Sequence, residues 1–202
     1  AIHLPFRGDL SLFFMLSVQH DLRTYASEVR RRVNLRFFKT GKEHYGAGDT
    51  FIGVTVPDTR IVAKKYADLP MKDIQTLLLS PIHEERLLSL LILVDQYKKG
   101  DEKTKQSIYD YYIRNAKRIN NWDLVDSSAD KIVGPHLFDR DRTLLYQLAK
   151  STNLWERRIA IVSTYHFIRQ GQFHDTFAIS ELLLNDSHDL IHKASGWMLR
   201  EA

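Results

Sequence analysis

One helix-start pattern recurs along the chain at nearly regular intervals. Each copy has a Ser, Asp or Asn that can cap a helix, then a charged first turn, then apolar residues at three-to-four spacing. The copies begin at Ser80, Ser151 and Asn185, with a looser copy at Ile119. These starts are roughly 30 to 40 residues apart, which is the length of one helix–turn–helix unit. The pattern predicts an all-α fold, a HEAT-like helical repeat solenoid whose concave face forms a groove.

Two segments between these starts supply the partner helices of the repeats. Residues 103–118 and 173–184 have apolar residues at helical spacing. Closer to the N-terminus, Val29, Val33 and Phe37 mark the apolar face of another helix. Helical periodicity therefore covers most of the chain.

Two further segments depart from this pattern. Residues 50–57 are β-branched and strand-like, but they are brief and end in Pro57, so we expect an extended connection rather than a sheet. The apolar run 10–16 follows Arg7 without a small-residue cleavage site, so we expect an amphipathic first helix rather than a signal peptide. The apolar run 87–94 is too short to span a bilayer, and no membrane partner is predicted.

Composition limits the classes of protein to which the chain can belong. With 202 residues, of which 44% are hydrophobic, it can bury one substantial core. We therefore expect a single domain over residues 1–202, with 1–20 as an N-terminal helix or extension. The absence of cysteine excludes disulfides, thiolate catalysis and cysteine-liganded zinc, and it favours a cytoplasmic protein. A net charge of +4 favours an anionic partner such as nucleic acid and predicts that the groove is basic.

Metal and cofactor chemistry has little support in the sequence. His188 and His192 share a helix face, but the metalloprotease pattern requires Glu where this chain has Asp189. The glycine-containing loop 41–49 lacks the Walker spacing and a preceding strand, so it is not predicted to bind a nucleotide cofactor. No G-x-S-x-G elbow is present and no lysine is marked out for Schiff-base chemistry. We therefore predict no metal, no cofactor and no lyase activity.

The chain has three tryptophans, and polar groups accompany them at helical spacing. Trp122 and Asp126 are related as i and i+4, and Trp155 and Arg158 as i and i+3. Trp197 follows a glycine on the last helix. Core packing is the simplest role for each tryptophan. Asp126 could equally bond to a helix cap, and Arg158 could form a structural salt bridge.

Six sequence runs give a more specific indication when they are taken in order. From about residue 37 to residue 201, the chain resembles the AlkD-type DNA alkylation repair glycosylases, which are built from HEAT-like repeats. Enzymes of that family excise purines alkylated at N3 or N7 and leave an abasic site. The runs that carry the resemblance are FFKTG, YGAGDTFIGVTVP, SPIHEERLLSLLILV, NNWDLVD, LWERRIAIV and LIHKASGWMLRE.

The resemblance implies catalytic roles for four residues. The family's W-x-x-x-D pattern falls on Trp122 and Asp126, its W-x-x-R pattern on Arg158, and its K-A-x-G-W pattern on Trp197. An alkylated purine cation is already a good leaving group, so the enzyme has to stabilise the oxocarbenium-like sugar. We assign that role to the Asp126 carboxylate and the two indole faces. Arg158 is then expected to clamp a phosphate beside the lesion.

The resemblance also implies a substrate. We expect a monomeric, monofunctional glycosylase acting on 3-methyladenine and 7-methylguanine in duplex DNA, with the lesion held from its backbone side. The residues expected to bind DNA are Arg157, Arg158, Lys39, Lys42, Tyr45 and Lys193. Two alternatives stay open, namely a non-catalytic module of the same fold that binds distorted or branched DNA, and a protein-interaction scaffold. Relatives usually continue beyond the last helix, so we expect the C-terminal end to be truncated or unusual.

Overall fold

The computed structural model describes residues 16–202, and this part of the chain is helical. It contains twelve α-helices and no strand, apart from one isolated parallel bridge between Thr50 and Ile82. The predicted all-α helical repeat fold is thereby confirmed. The helices are α1 (Ser17–Arg23), α2 (Glu28–Phe37), α3 (Val56–Lys65), α4 (Met71–Leu78), α5 (His83–Lys99), α6 (Glu102–Arg114), α7 (Trp122–Asp126), α8 (Ala129–Leu137), α9 (Thr143–Ala149), α10 (Leu154–Ile168), α11 (His174–Leu182) and α12 (Asp189–Glu201).

Successive helices pair and stack side by side. Helices α4 and α5, α9 and α10, and α11 and α12 pack as pairs, and α6 pairs with α8. One member of each pair continues an inner row in which α3, α5, α7 with α8, α10 and α12 contact one another in order. Helices α5 and α10 are the longest, and each buries residues on most of its faces. The core therefore runs along this row, and the residues between its helices are in position to form a site.

Three of the predicted helix starts become inner-row helices, whereas the looser one is divided. The patterns at Ser80, Ser151 and Asn185 give α5, α10 and α12, and the predicted partner segments give α6 and α11. The pattern at Ile119 gives α7, which has only five residues, followed by α8. At the break, the Ser128 hydroxyl donates to the Leu124 carbonyl at 2.6 Å, and the Ser128 backbone lies outside the helical region at φ −134°.

The strand-like segment forms a connection rather than a sheet, as predicted, and then it enters a helix. Residues 51–55 have no regular structure, and Val56 and Pro57 form the first turn of α3, where a proline without an N–H is tolerated. The Glu84 carboxylate accepts the backbone N–H groups of Ile52, Gly53 and Val54. A buried carboxylate on α5 thus fixes the course of this connection.

Helix α2 has the predicted apolar stripe, but none of its residues is buried. Val29, Val33 and Phe37 are 77%, 50% and 61% exposed. The helix is held at its N-terminal end, where Ser27 packs on Gly53. Gly53 has φ +81°, and a Cβ there would lie 2.1 Å from the Ser27 carbonyl oxygen. Close backbone contact therefore positions α2 beside the inner row.

The predicted amphipathic helix over the run 10–16 lies outside the described residues, except for Leu16, the N-cap of α1. Among residues 16–202, no helix is both long enough and apolar enough to cross a membrane.

Candidate active site between helices 7, 10 and 12

The short helix α7 carries Trp122 and Asp126. The side chain of Asn121 caps the helix by accepting the Trp122 N–H at 2.8 Å, and Asn121 itself is buried. The i and i+4 relation places Trp122 and Asp126 one turn apart, as the spacing predicted. A helix of five residues has little intrinsic stability, so side-chain contacts must hold α7 in place.

Arg158 on α10 binds Asp126 in bidentate geometry. Its Nε donates to one carboxylate oxygen of Asp126 at 2.9 Å and its Nη2 donates to the other at 2.8 Å. Its Nη1 donates to the Leu190 carbonyl on α12. The Arg158 side chain is only 6% exposed. The guanidinium group that was expected to clamp a phosphate is thus engaged with Asp126 and with α12 of the protein itself.

Asp126 has an unusual electrostatic environment. Burial raises its pKa, the hydrogen bonds and charge of Arg158 lower it, and the net direction is upward. The side chain keeps 18% of its surface exposed. Asp126 opens onto a cavity of about 600 Å³, which we call the aspartate cavity, with Phe37, Phe38 and Trp122 also in its lining. A carboxylate with a raised pKa beside a cavity is suited to hold or transfer a proton.

Trp122 lines the aspartate cavity and also a second one. One indole face is stacked on Phe38, with ring centroids 5.4 Å apart and an interplanar angle of 20°. Phe37 meets the indole edge-on at 5.8 Å. The second cavity, about 460 Å³, is called here the tryptophan cavity. Trp122 is half-buried, so it both packs and presents surface to the two cavities.

The tryptophan cavity collects several of the residues expected to bind DNA. Lys39, Tyr45, Arg158 and Lys193 all line it. Lys42 is exposed and is not part of its lining. Lys193 pairs with Asp189 one turn away at 2.7 Å, an exposed ion pair that a phosphate can displace at little cost.

Arg157, another residue expected to bind DNA, forms hydrogen bonds within the protein. Its Nε donates to Asp186 at 2.6 Å, and its Nη1 donates to the carbonyls of Ser151 and Thr152 at 3.0 Å each. The side chain is 15% exposed. Arg157 thus ties the loop before α10 to the loop before α12.

The other two tryptophans occupy different environments. Trp155 is 7% exposed and belongs to the core, where Tyr45 meets its edge at 6.1 Å. Trp197 is half-buried against Tyr165, with ring centroids 5.5 Å apart. It lines neither the aspartate cavity nor the tryptophan cavity. The structure therefore brings Trp122, Asp126 and Arg158 together, and it places Trp197 farther along α12.

A buried polar network supports α7 from behind, and the sequence patterns did not reveal it. His83 Nε2 lies 2.8 Å from Asp123 Oδ2, and His83 Nδ1 lies 3.3 Å from Asp49 Oδ2. Arg86 donates to Asp49 at 2.6 Å, and Asn121 donates to Asp49 at 3.0 Å. His83 and Arg86 both belong to the SPIHEER stretch. Their spacing of one helical turn on an inner helix is the sequence feature that could have indicated a buried polar network.

His83 is held as a cation. Burial favours its neutral form, but the carboxylates of Asp123 and Asp49 outweigh burial and raise its pKa to about 9. Phe51 and Phe38 pack on the ring at centroid distances of 4.6 and 4.9 Å. Because Asp123 is next to Trp122 in α7, the imidazolium group and these two aromatic rings fix the helix and the indole together.

The histidines considered as metal ligands have other partners. His188 Nδ1 accepts the Leu190 N–H at 3.1 Å, and His192 Nε2 lies 2.6 Å from the Asp186 carbonyl oxygen. In the part of the chain that the structure describes, no three His, Asp or Glu side chains are grouped to hold a metal ion.

Comparisons with known proteins concern the family and the fold of the chain. Residues 18–202 match the family model described as DNA alkylation repair enzyme. No curated protein matches the sequence. One similar solved structure is a predicted DNA alkylation repair enzyme from Enterococcus faecalis, with a TM-score of 0.60 and 15% sequence identity, covering 87% of this chain and 82% of that chain. At this identity the structural likeness supports the fold, and the family model covers nearly all of the chain.

Proposed function

Because this chain belongs to the DNA alkylation repair enzyme family, we propose that it is a monofunctional DNA glycosylase that acts as a monomer. In this proposal it hydrolyses the N-glycosidic bond of cationic N3- or N7-alkylated purines in duplex DNA and leaves an abasic site. The observation that carries the proposal is the Asp126 carboxylate, held by Arg158 at the edge of an aromatic cavity.

The reaction requires little help at the leaving base. An N3- or N7-alkylpurine already carries the positive charge that weakens its bond to the sugar. As that bond breaks, the charge moves to the sugar, which becomes oxocarbenium-like. A fixed carboxylate beside the sugar stabilises this charge, and Trp122 adds the negative face of its ring. A raised pKa lets Asp126 accept the proton of the attacking water.

The position of Arg158 changes its expected role. Since its fork is occupied by Asp126, we propose that Arg158 orients the carboxylate rather than clamping a phosphate. Phosphate contacts then fall to Lys39 and Lys193 on the tryptophan cavity and to Arg30, Arg60 and Lys131 on the aspartate cavity. Because basic side chains line both cavities, we propose that a DNA backbone passes across α7 and contacts both sets of cations.

A second candidate function is a non-catalytic module that binds distorted or branched DNA. The observation that favours it is the same ion pair, because a carboxylate with both oxygens bound by arginine is also a stable structural element. Such a module would bind DNA with strong salt dependence and release no base.

Base release from alkylated duplex DNA separates these two functions. The wild-type protein should release 7-methylguanine and 3-methyladenine, and Asp126→Asn should lower the single-turnover rate by at least about 100-fold. Asp139→Asn, an exposed carboxylate in the turn after α8, is the matched control and should keep the wild-type rate. Undiminished base release by Asp126→Asn would show that Asp126 takes no part in the reaction. Binding of branched DNA by the wild-type protein without any base release would favour the non-catalytic module.

A further inference from the structure

A third cavity, about 420 Å³, lies away from Asp126 and is lined by two arginines. We call it the arginine cleft, and its lining comprises Ala47, Gly48, Asp49, Leu79, Pro81, Arg86, Arg118 and Asn120. It lies where the loop before α5 and the loop before α7 meet the turn at residues 46–49. We infer that the arginine cleft is a binding site for a phosphate group, separate from the site at Asp126.

The two guanidinium groups are fixed in place by the protein backbone. Arg118 Nη2 donates to the carbonyls of Leu79 and Ser80 at 2.7 and 3.3 Å. Arg86 Nη1 donates to the carbonyls of Ser80 and Pro81 at 3.1 and 3.2 Å. One loop therefore holds both arginines side by side. Guanidinium groups held in this way are preorganised to bind a phosphate, since little side-chain entropy is lost on binding.

Both arginines have donors that the protein leaves unused. Arg86 is 2% exposed, and the Nε groups of Arg86 and Arg118 are buried without a hydrogen-bond partner among the described residues. The Oδ1 atom of Asn120, in the same cleft, also lacks a partner. Rotating that amide would present its NH₂ group instead. Buried donors without acceptors are costly, so the two guanidinium groups would gain from an anion that enters the cleft beside them.

The ionised side chains around the cleft also carry a net positive charge. Arg86, Arg118 and protonated His83 carry three positive charges, against the carboxylates of Asp49 and Asp123. Asp49 lines the cleft, but Arg86, His83 and Asn121 already bind its two oxygens. Burial lowers the pKa of Arg86, and the positive charge of Arg118 lowers it further. A phosphate between the two guanidinium groups would relieve this repulsion.

The cleft is connected to the candidate active site by one stretch of chain. Residues 39–49 run from the tryptophan cavity, where Lys39 and Tyr45 lie, to the arginine cleft, where Gly48 and Asp49 lie. A phosphate in the cleft can come from the backbone of bound DNA, which rests on the proposed function, or from a free phosphate ion. The chemistry of recognition is the same for both sources.

Arg118→Gln tests the inference, with Arg114→Gln as the matched control. Arg114 is an exposed arginine on α6 whose Nε donates only to a carbonyl of its own helix. On undamaged duplex DNA, Arg118→Gln should weaken binding about tenfold and reduce the slope of log K against log salt by about one. Arg118→Lys should recover part of both losses, and Arg114→Gln should change neither.

A second measurement identifies the source of the phosphate. Inorganic phosphate should raise the melting temperature of the wild-type protein more than sodium chloride at equal ionic strength, and Arg118→Gln should abolish the difference. Loss of this effect with unchanged DNA binding identifies a free phosphate ion as the ligand. If Arg118→Gln changes neither measurement while it melts like wild type, the cleft binds no phosphate. Both assays are independent of base release, so they stand even if the protein has no glycosylase activity.

Discussion

Arg158 binds both carboxylate oxygens of Asp126 across the 32 residues that separate them, and this pair joins α7 to α10. The pair makes the charge state of Asp126 depend on Arg158. Arg158→Gln leaves a largely buried carboxylate with weaker partners, so the pKa of Asp126 should rise further. In the proposed reaction, base release should fall as the pH decreases through that pKa, because only the ionised carboxylate would stabilise the sugar cation. The acidic limb of the pH–rate profile should therefore move to higher pH in the variant.

The same variant should also be less stable, by about 3 kcal/mol in urea unfolding, because removing one partner of a buried pair strands the other. Spontaneous depurination in buffer has to be subtracted at each pH. An acidic limb at the same pH in both proteins would show that Asp126 is not the group that titrates.

His83 should make stability depend on pH in the alkaline range. Its folded pKa of about 9 lies above the ordinary histidine value of 6.5, so the protonated folded state gains stability. This contribution is fully present below pH 6.5 and is lost as the pH rises through 9. The shift corresponds to about 3 kcal/mol. Urea unfolding at pH 6 and at pH 9.5 should show the loss in the wild type and a much smaller one in His83→Gln.

His20→Gln is the control for this measurement, since His20 is 71% exposed in its side chain. Equal pH dependence in wild type and His83→Gln would mean that folding does not raise the pKa of His83.

The two glycines with positive φ near the site should respond differently to alanine. Gly48 and Gly53 have φ +87° and +81°, but a Cβ meets nothing within 4 Å at Gly48 and meets the Ser27 carbonyl oxygen at 2.1 Å at Gly53. Gly48→Ala should cost about 1–2 kcal/mol, from the left-handed backbone alone. Gly53→Ala should cost more and should displace α2. Thermal melting and hydrogen exchange of α2 amides measure the two effects, and equal costs would show that the Ser27 contact is soft.

Trp122 and Trp197 should contribute unequally to base release. Trp122 lines both cavities beside Asp126, whereas Trp197 lines neither. Trp122→Leu should lower the single-turnover rate by about 2- to 30-fold, the value of a cation–π contact. Trp197→Leu should lower it less. An equal or larger loss at Trp197 would support the catalytic role that the family resemblance implies for it.

Local rules in the sequence predicted the helices and one half of the site. Apolar spacing located α5, α10 and α12, although their N-caps are Ile82, Asn153 and His188. The i and i+4 rule placed Trp122 and Asp126 one turn apart. The division of the fourth pattern into α7 and α8 was not predicted. The turn at Ser128, whose hydroxyl donates to the Leu124 carbonyl, has no signal in the apolar spacing. The apolar stripe of α2 predicted a helix, but periodicity does not say what covers the stripe.

Contacts between distant segments were beyond these rules. The link between Arg158 and Asp126 and the network around His83 join residues from separate repeats, and no local spacing determines which pairs meet. The role expected for Arg158 followed from the resemblance alone, and its position in the fold favours a different one. Polar residues at the starts of inner helices were the only signal for the network.

The five-residue length of α7 has a consequence for how the proposed site would lose its geometry. Such a segment opens as a unit with whatever anchors it, and its anchors are Asp49, His83, Phe38 and Arg158 rather than its own backbone ladder. Loosening of residues 38–55 alone would remove the stacking of Phe38 on the Trp122 indole and the bond between Asp49 and Asn121, while the stacked helices stayed folded. The site would therefore fail in a sub-global opening, well below the temperature at which circular dichroism records the loss of helix.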